Sequence, residues 1–123
     1  MAAGVGRIAR EPEGDAVVLR LYGEHDLSTA PAVREELERA VATGAGIVVD
    51  MTETEFIDSS ILGVLVEGYR LVSSTGEPGR GFVVAAAPGG PVTRLLDLVA
   101  VSDLVQVYPT RAEALAAVNG TSG

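Results

Sequence analysis

Asp58-Ser59-Ser60 is a carboxylate followed by two hydroxyls, set between the apolar pair Phe56-Ile57 and the apolar run Ile61-Leu62-Gly63-Val64-Leu65. Serines there suit a core badly and a helix N-terminus well, because the first N–H groups of a helix have no partner within it. Such an end favours negative charge. The chemistry this predicts is acceptance of a phosphate on a serine hydroxyl. With Asp58 as N-cap, Ser59 falls at the first helical position and Ser60 at the second. The competing reading is that the three residues only cap a helix, since Asp and Ser both rank high at caps.

Other polar candidates are weaker. His25 is the only histidine and is expected in solvent, in the polar loop of residues 23–30. Asp26 next to it reads as an ordinary turn residue. A hydrolytic triad of Ser59, His25 and Asp26 is disfavoured, because adjacent residues do not readily give a base and its orienting carboxylate the geometry required. The Gly-x-Ser-x-Gly elbow is also absent. Asp50 reads as a strand end rather than a metal ligand. The run Gly-Glu-Pro-Gly-Arg-Gly at 76–81 precedes a strand instead of opening a helix, so it fails as a phosphate cradle. Gly63 is expected to allow close helix packing or the approach of a partner. No acid–base pair, metal cluster or nucleotide loop emerges, so neither an enzyme nor a cofactor is expected.

Charge and composition narrow the partners. The net charge is −8, from 17 acidic and 9 basic residues. Nucleic acid needs clustered cations, and an anionic membrane surface needs the same, so neither is expected as a partner. There is no Cys, hence no disulfide, thiol nucleophile or Cys-based metal site. The N-terminal residues lack the apolar stretch of a signal peptide. No apolar run nears the ~20 residues of a membrane span, so a cytoplasmic protein is expected. A chain of 123 residues, 47% of them hydrophobic, suits one domain with a real core.

The elements that must position the serines follow from apolar spacing. Residues 17–22 read as a strand, with a weaker edge strand at 5–10 paired to it through a turn at Glu13-Gly14-Asp15. Ser28 or Thr29 is expected to cap a helix that carries Val33, Leu37, Ala40 and Val41 on one face and ends at Gly44. Residues 47–51 form a nearly continuous apolar run, as a central strand covered on both faces should. The helix after the serines spans residues 61–72, and 73–81 read as a loop. Residues 82–87 are another buried strand. Val92, Leu95, Leu96 and Val99 have helical spacing, 105–108 form a last strand, and Thr110 caps a final helix over 111–118. The order β-β-α-β-α-β-α-β-α predicts one α/β domain with a mixed, mostly parallel sheet of about four to five strands and about four helices. Residues 119–123 read as a frayed tail. The edge strand at 5–10 makes a monomer or a weak dimer the expected state.

Three stretches resemble STAS domains. They are Gly23-Glu24-His25-Asp26-Leu27-Ser28-Thr29-Ala30-Pro31, the segment from Val49 through Asp58-Ser59-Ser60 to Gly63, and the C-terminal pattern from Val92 to Ala117. The resemblance covers roughly residues 5 to 118 and implies a single STAS-type domain over the whole chain. A free-standing domain of this size is most similar to bacterial anti-sigma factor antagonists. That likeness implies a cycle. The unphosphorylated chain binds an anti-sigma factor that is also a serine kinase, and a sigma factor is freed. The kinase then phosphorylates Ser59, the phosphorylated form dissociates, and a serine phosphatase resets it. The likeness also implies partner contacts at Asp26, Leu27, Ser28, Asp58, Ser60, Ile61 and Leu62. Many family members carry Gly where this chain has Ile61, and the position of His25 is often aliphatic in them. A second function compatible with the same family is a non-phosphorylated STAS scaffold, or an accessory subunit of a regulatory or transport assembly.

Overall fold

The computed structural model describes residues 6–75 and 81–118. Among these, strands β1 (Arg7–Glu13) and β2 (Ala16–His25) form an antiparallel hairpin. Gly14 closes it with a φ of +62° that only glycine adopts without strain. After it come α1 (Ala30–Ala42), β3 (Gly46–Asp50), β4 (Thr54–Ile57), α2 (Ser59–Thr75), β5 (Phe82–Ala85), α3 (Pro91–Leu98), a 3-10 turn (Val101–Asp103), β6 (Val107–Tyr108) and α4 (Arg111–Val118). The sheet order is β1-β2-β3-β5-β6, parallel from β2 onward, with β4 joined to β2. It is the mixed, mostly parallel α/β sheet expected, with four helices and one additional strand.

Strand parity sorts the core. Val17, Leu19, Leu21, Ile47, Val49, Phe82 and Val84 point to one face, where α1, α2 and α3 cover them. Ala16, Val18, Val48, Val83 and Ala85 point to the other, where Ala114 and Val118 of α4 cover them. All five residues of β3 are buried, as its unbroken apolar run requires. Helix α2 crosses close to α1 and β5 at Gly68, where a Cβ would lie 2.4 Å from Leu37 Cδ2 and 3.0 Å from Phe82 Cε2.

Several boundaries differ from the apolar pattern. β2 is longer than its apolar run. It pairs with β3 through Arg20, shifts register between Gly23 and Glu24, and continues against β4. Thr54–Ile57 is a strand because of that second pairing, helped by a hydrogen bond from Thr54 Oγ1–H to Leu21 O at 2.7 Å. Helix α2 runs on through Ser73-Ser74-Thr75, where Ser74 and Thr75 hydroxyls donate back to the Leu71 and Val72 carbonyls. Residues 76–80 of the expected loop, Val5 and the tail 119–123 lie outside the described residues. β6 is only two residues long. α3 ends at Leu98, so Val99 leaves the buried helical face and is 45% exposed.

The edge strand β1 carries Arg7, Arg10, Glu11, Pro12 and Glu13. Charges and proline are the devices by which sheet edges resist pairing. Arg111 of α4 reaches Glu11 at 3.0 Å and Glu13 at 2.9 Å, and this contact to Arg111, with Arg20 adding to it, holds the Glu11 carboxyl below its usual range. Thr110 caps α4 as expected: its Oγ1 accepts the Glu113 N–H at 3.1 Å, and its hydroxyl donates to Glu113 Oε2 at 3.4 Å. Among the described residues no helix is long and apolar enough to cross a membrane.

Candidate functional site

β4 delivers Asp58 to the start of α2, beside the loop that follows β2. Asp58 is the N-cap. Its Oδ1 accepts the Ser60 N–H at 2.9 Å and the Ile61 N–H at 3.4 Å, and its carbonyl accepts the Ile61 and Leu62 N–H groups. The other carboxylate oxygen, Oδ2, accepts the Leu27 N–H at 3.2 Å, across 31 residues of sequence. One side chain therefore both starts α2 and latches the loop of residues 23–30 to it. Losing the cap alone costs about 1 kcal/mol. Asp58→Ala is expected to lower Tm by roughly 5 °C for a domain of this size, read by thermal melting. An unchanged Tm would show that the carboxylate stabilises neither element.

Ser59 occupies the first helical position and is exposed, and its hydroxyl has no partner among the described residues. Ser60 is half-buried and faces a hollow lined by Leu27, Ala30, Pro31 and Arg34. The N–H groups of Ser60 and Ile61 are already taken by Asp58. A phosphate on Ser59 would gain from the helix dipole rather than from those two donors.

Asp26 is exposed and builds the loop. Its Oδ1 accepts the Ser28 hydroxyl at 2.6 Å and the Ser28 N–H at 2.9 Å. The Ser28 hydroxyl, then the Ser28 N–H, hold the Asp26 carboxyl below its ordinary range. Thr29 precedes α1 but makes no side-chain cap, and neither does Ser28. Both hydroxyls are spent within the loop, where Thr29 Oγ1 accepts the Asp26 N–H at 3.1 Å. Leu27 is left 71% exposed beside Asp58.

Two expectations are corrected here, those for His25 and Ile61, and for Gly63 the close-packing alternative falls while the approach of a partner stays open. His25 is not solvated: it is 0% exposed, with Nδ1 on Thr29 Oγ1 and Nε2 between the carbonyls of Tyr22 and Arg7. Both ring nitrogens are thus committed, which also removes His25 as a base for Ser59. Ile61 does not face a partner. Its side chain is 0% exposed and lies in the core under α2. Gly63 makes no close helix contact, since a Cβ there would meet nothing within 4 Å. It opens onto solvent instead.

That open position belongs to a feature the apolar spacing conceals. Ser59, Leu62, Gly63, Val66, Leu71, Val99 and Val101 line a groove of about 630 Å³ along α2. Glu67 and Arg70 also line it. Leu62, although buried, forms part of its wall. Val99 reads as core from helical spacing, but Ala100 turns the chain with a φ of +61° and leaves Val99 on the groove's far side. Asp50 ends β3 and holds Thr52 N–H and Oγ1–H on its Oδ1.

A capped, exposed serine at a strand-to-helix junction, in a sheet of this order, is the arrangement that the STAS resemblance implies. A model of the STAS domain family matches residues 7–114. The chain belongs to the STAS domain family. The anti-sigma F factor antagonist of Paenibacillus polymyxa is 30% identical to this STAS domain over 111 residues, covering 89% of this chain and 92% of that protein. The crystal structure of an anti-sigma factor antagonist from Mycobacterium paratuberculosis matches it with a TM-score of 0.84 at 28% identity, over 95% of this chain and 97% of that one. The Bacillus cell fate determinant SpoIIAA, solved in its phosphorylated form, shares the fold with a TM-score of 0.67 at 22% identity, over 91% of this chain and 99% of that one.

Proposed function

We propose that this STAS domain is an anti-sigma factor antagonist that is switched off by phosphorylation of Ser59. In its unphosphorylated form it binds an anti-sigma factor serine kinase, and the sigma factor held by that kinase is released. Phosphate on Ser59 ends the complex, and a serine phosphatase restores the binding form. The chain acts as a binding module and not as an enzyme.

The observation that carries this reading is the place of Ser59: an exposed hydroxyl at the head of an apolar groove, beside the carboxylate of Asp58. A docked partner would cover the serine, the carboxylate and exposed Leu27 together. Asp26 and Ser28 shape the loop behind Leu27, Ser60 lies beside it, and Leu62 contributes groove wall. These six residues, Asp26, Leu27, Ser28, Asp58, Ser60 and Leu62, form the proposed contact surface. The names of the related antagonists support the reading.

Displacement tests it. The unphosphorylated chain is added to a complex of a sigma factor with an anti-sigma factor serine kinase from the same organism, and free sigma factor is measured. Release in proportion to the chain added is expected. A complex that survives a molar excess contradicts the proposal and favours a passive module in a larger assembly.

A further inference from the structure

Four residues of α2 point outward in one row. Ser59, Gly63, Val66 and Arg70 are spaced four, three and four apart, which keeps them on one helical face. Ser59, Gly63 and Arg70 are exposed, and Val66 is half-buried. All four line the groove. Two members of the row are not explained by the fold. Gly63 sits in a helix interior, where glycine is among the poorest residues, yet it has no positive φ and a Cβ there would meet nothing within 4 Å. Arg70 has no ion-pair partner among the described residues, whereas Glu67 beside it is drawn to Arg34 of α1 at 3.3 Å.

The spacing of this row reads the same from either end. An antiparallel second copy of α2 therefore sets Val66 of each chain over Gly63 of the other, a side chain over a vacant position. The same placement sets Arg70 of each chain over Ser59 of the other, next to the Asp58 carboxylate. Charge agrees with shape. The groove is acidic at its head, through Asp58, and basic at its far end, through Arg70. Ser59 and Arg70 lie about 16 Å apart along the helix at its rise per residue. Antiparallel helices also bring the positive end of each dipole to the negative end of the other. A two-fold interface requires such self-complementarity, because one patch meets a copy of itself. Exposed Leu71 and Val99 line the same groove and lose water in the contact.

We propose that two copies of this chain pair through the outward faces of α2, antiparallel and two-fold, with Gly63 at the crossing and Arg70 of each copy on the Ser59 end of the other. The contact spans about three turns of helix, less than a stable interface needs, so the dimer is weak and forms at high concentration. It covers Ser59. Dimer and kinase complex then exclude each other, a consequence that rests on the function proposed above; the pairing itself does not. A negative charge at Ser59 faces the guanidinium of the second copy, so it tightens the pair through charge-assisted hydrogen bonds.

Sedimentation equilibrium of the whole chain, at concentrations up to about 1 mM, tests the pairing. The average mass is expected to rise above the 12.6 kDa of one copy. Arg70→Glu and Ser59→Arg each set like charges face to face and should weaken association at least about tenfold. The double variant restores opposite charges across the two-fold and should recover association to within about threefold of the unaltered chain. Residues 59 and 70 are too far apart within one chain for that recovery to be internal. Ser59→Glu should tighten the pair. Gly63→Leu should abolish it without lowering Tm, since open space receives the side chain in the free chain. A mass that stays at 12.6 kDa overturns the proposal. So does an association that survives both Arg70→Glu and Gly63→Leu, as pairing through the edge strand β1 would, or a double variant no stronger than the single ones. None of these measurements needs a kinase, so a failed displacement experiment and a failed dimer are separate results.

Discussion

Ile61→Ala is expected to cost about 2–5 kcal/mol of folding stability, with a fall in Tm of roughly 10–20 °C for a domain of this size. Ile61 is the third residue of α2, and its side chain is wholly buried among the residues that the helix shares with the sheet. Truncation removes the transfer energy of the lost methyl groups and leaves a cavity that a close-packed core fills only partly. Ile61→Gly, which installs the residue common in the resembling family, should cost more, because glycine in a helix adds a further ~1 kcal/mol. Denaturant titration with a two-state fit measures both. A loss below about 1 kcal/mol would mean that the first turn of α2 is not anchored through this side chain. The same placement explains how a bulky residue sits two positions after Ser59 without obstructing it. The side chain points into the core, and the outward face is left to Ser59, Gly63 and the groove.

Phosphorylation of Ser59 is expected to weaken partner binding by 100-fold or more while leaving the fold intact. A phosphoserine adds about −1.5 to −2 charges near neutral pH. In the free chain that charge lies at a helix N-terminus, where the dipole favours it, and Ser59 is already exposed to water. In a complex it would be taken from water at the head of an apolar groove, beside the Asp58 carboxylate. Like charges brought together at an interface cost several kcal/mol, and each ~1.4 kcal/mol is a factor of ten in affinity. Titration calorimetry against the kinase measures the affinity, and thermal melting measures the fold. A drop in Tm beyond roughly 5 °C, of the order that ~1 kcal/mol produces, would place the switch in the fold rather than the interface. Equal affinities for the two forms would remove the switch.

Much of this was legible because it is local. Asp58 is readable as a cap since Asp before two serines and an apolar helix admits few other roles, and its Oδ1 takes the N–H groups expected of it. The doubly covered strand β3 is readable from an unbroken apolar run. What was not legible depends on residues distant in sequence. Thr54–Ile57 becomes a strand only because β2 changes partner after its register shift. His25 looks like a loop residue until carbonyls from β1 and β2 close around its ring. Ile61 enters the expected contact surface through the family likeness alone, whereas its side chain is turned into the core. The groove escapes notice because Val99 continues the spacing of α3 but lies past its end, where Ala100 reverses the chain. The latch from Leu27 to Asp58 spans 31 residues and has no signature in either segment alone.

The central claim is that Ser59 is where the phosphate is written. Incubation with ATP and the anti-sigma factor serine kinases of the same organism, followed by intact-mass measurement, tests it most directly. A gain of one phosphoryl group, about 80 Da, that disappears in Ser59→Ala and persists in Ser60→Ala is predicted. No gain, or a gain that persists in Ser59→Ala, would contradict it.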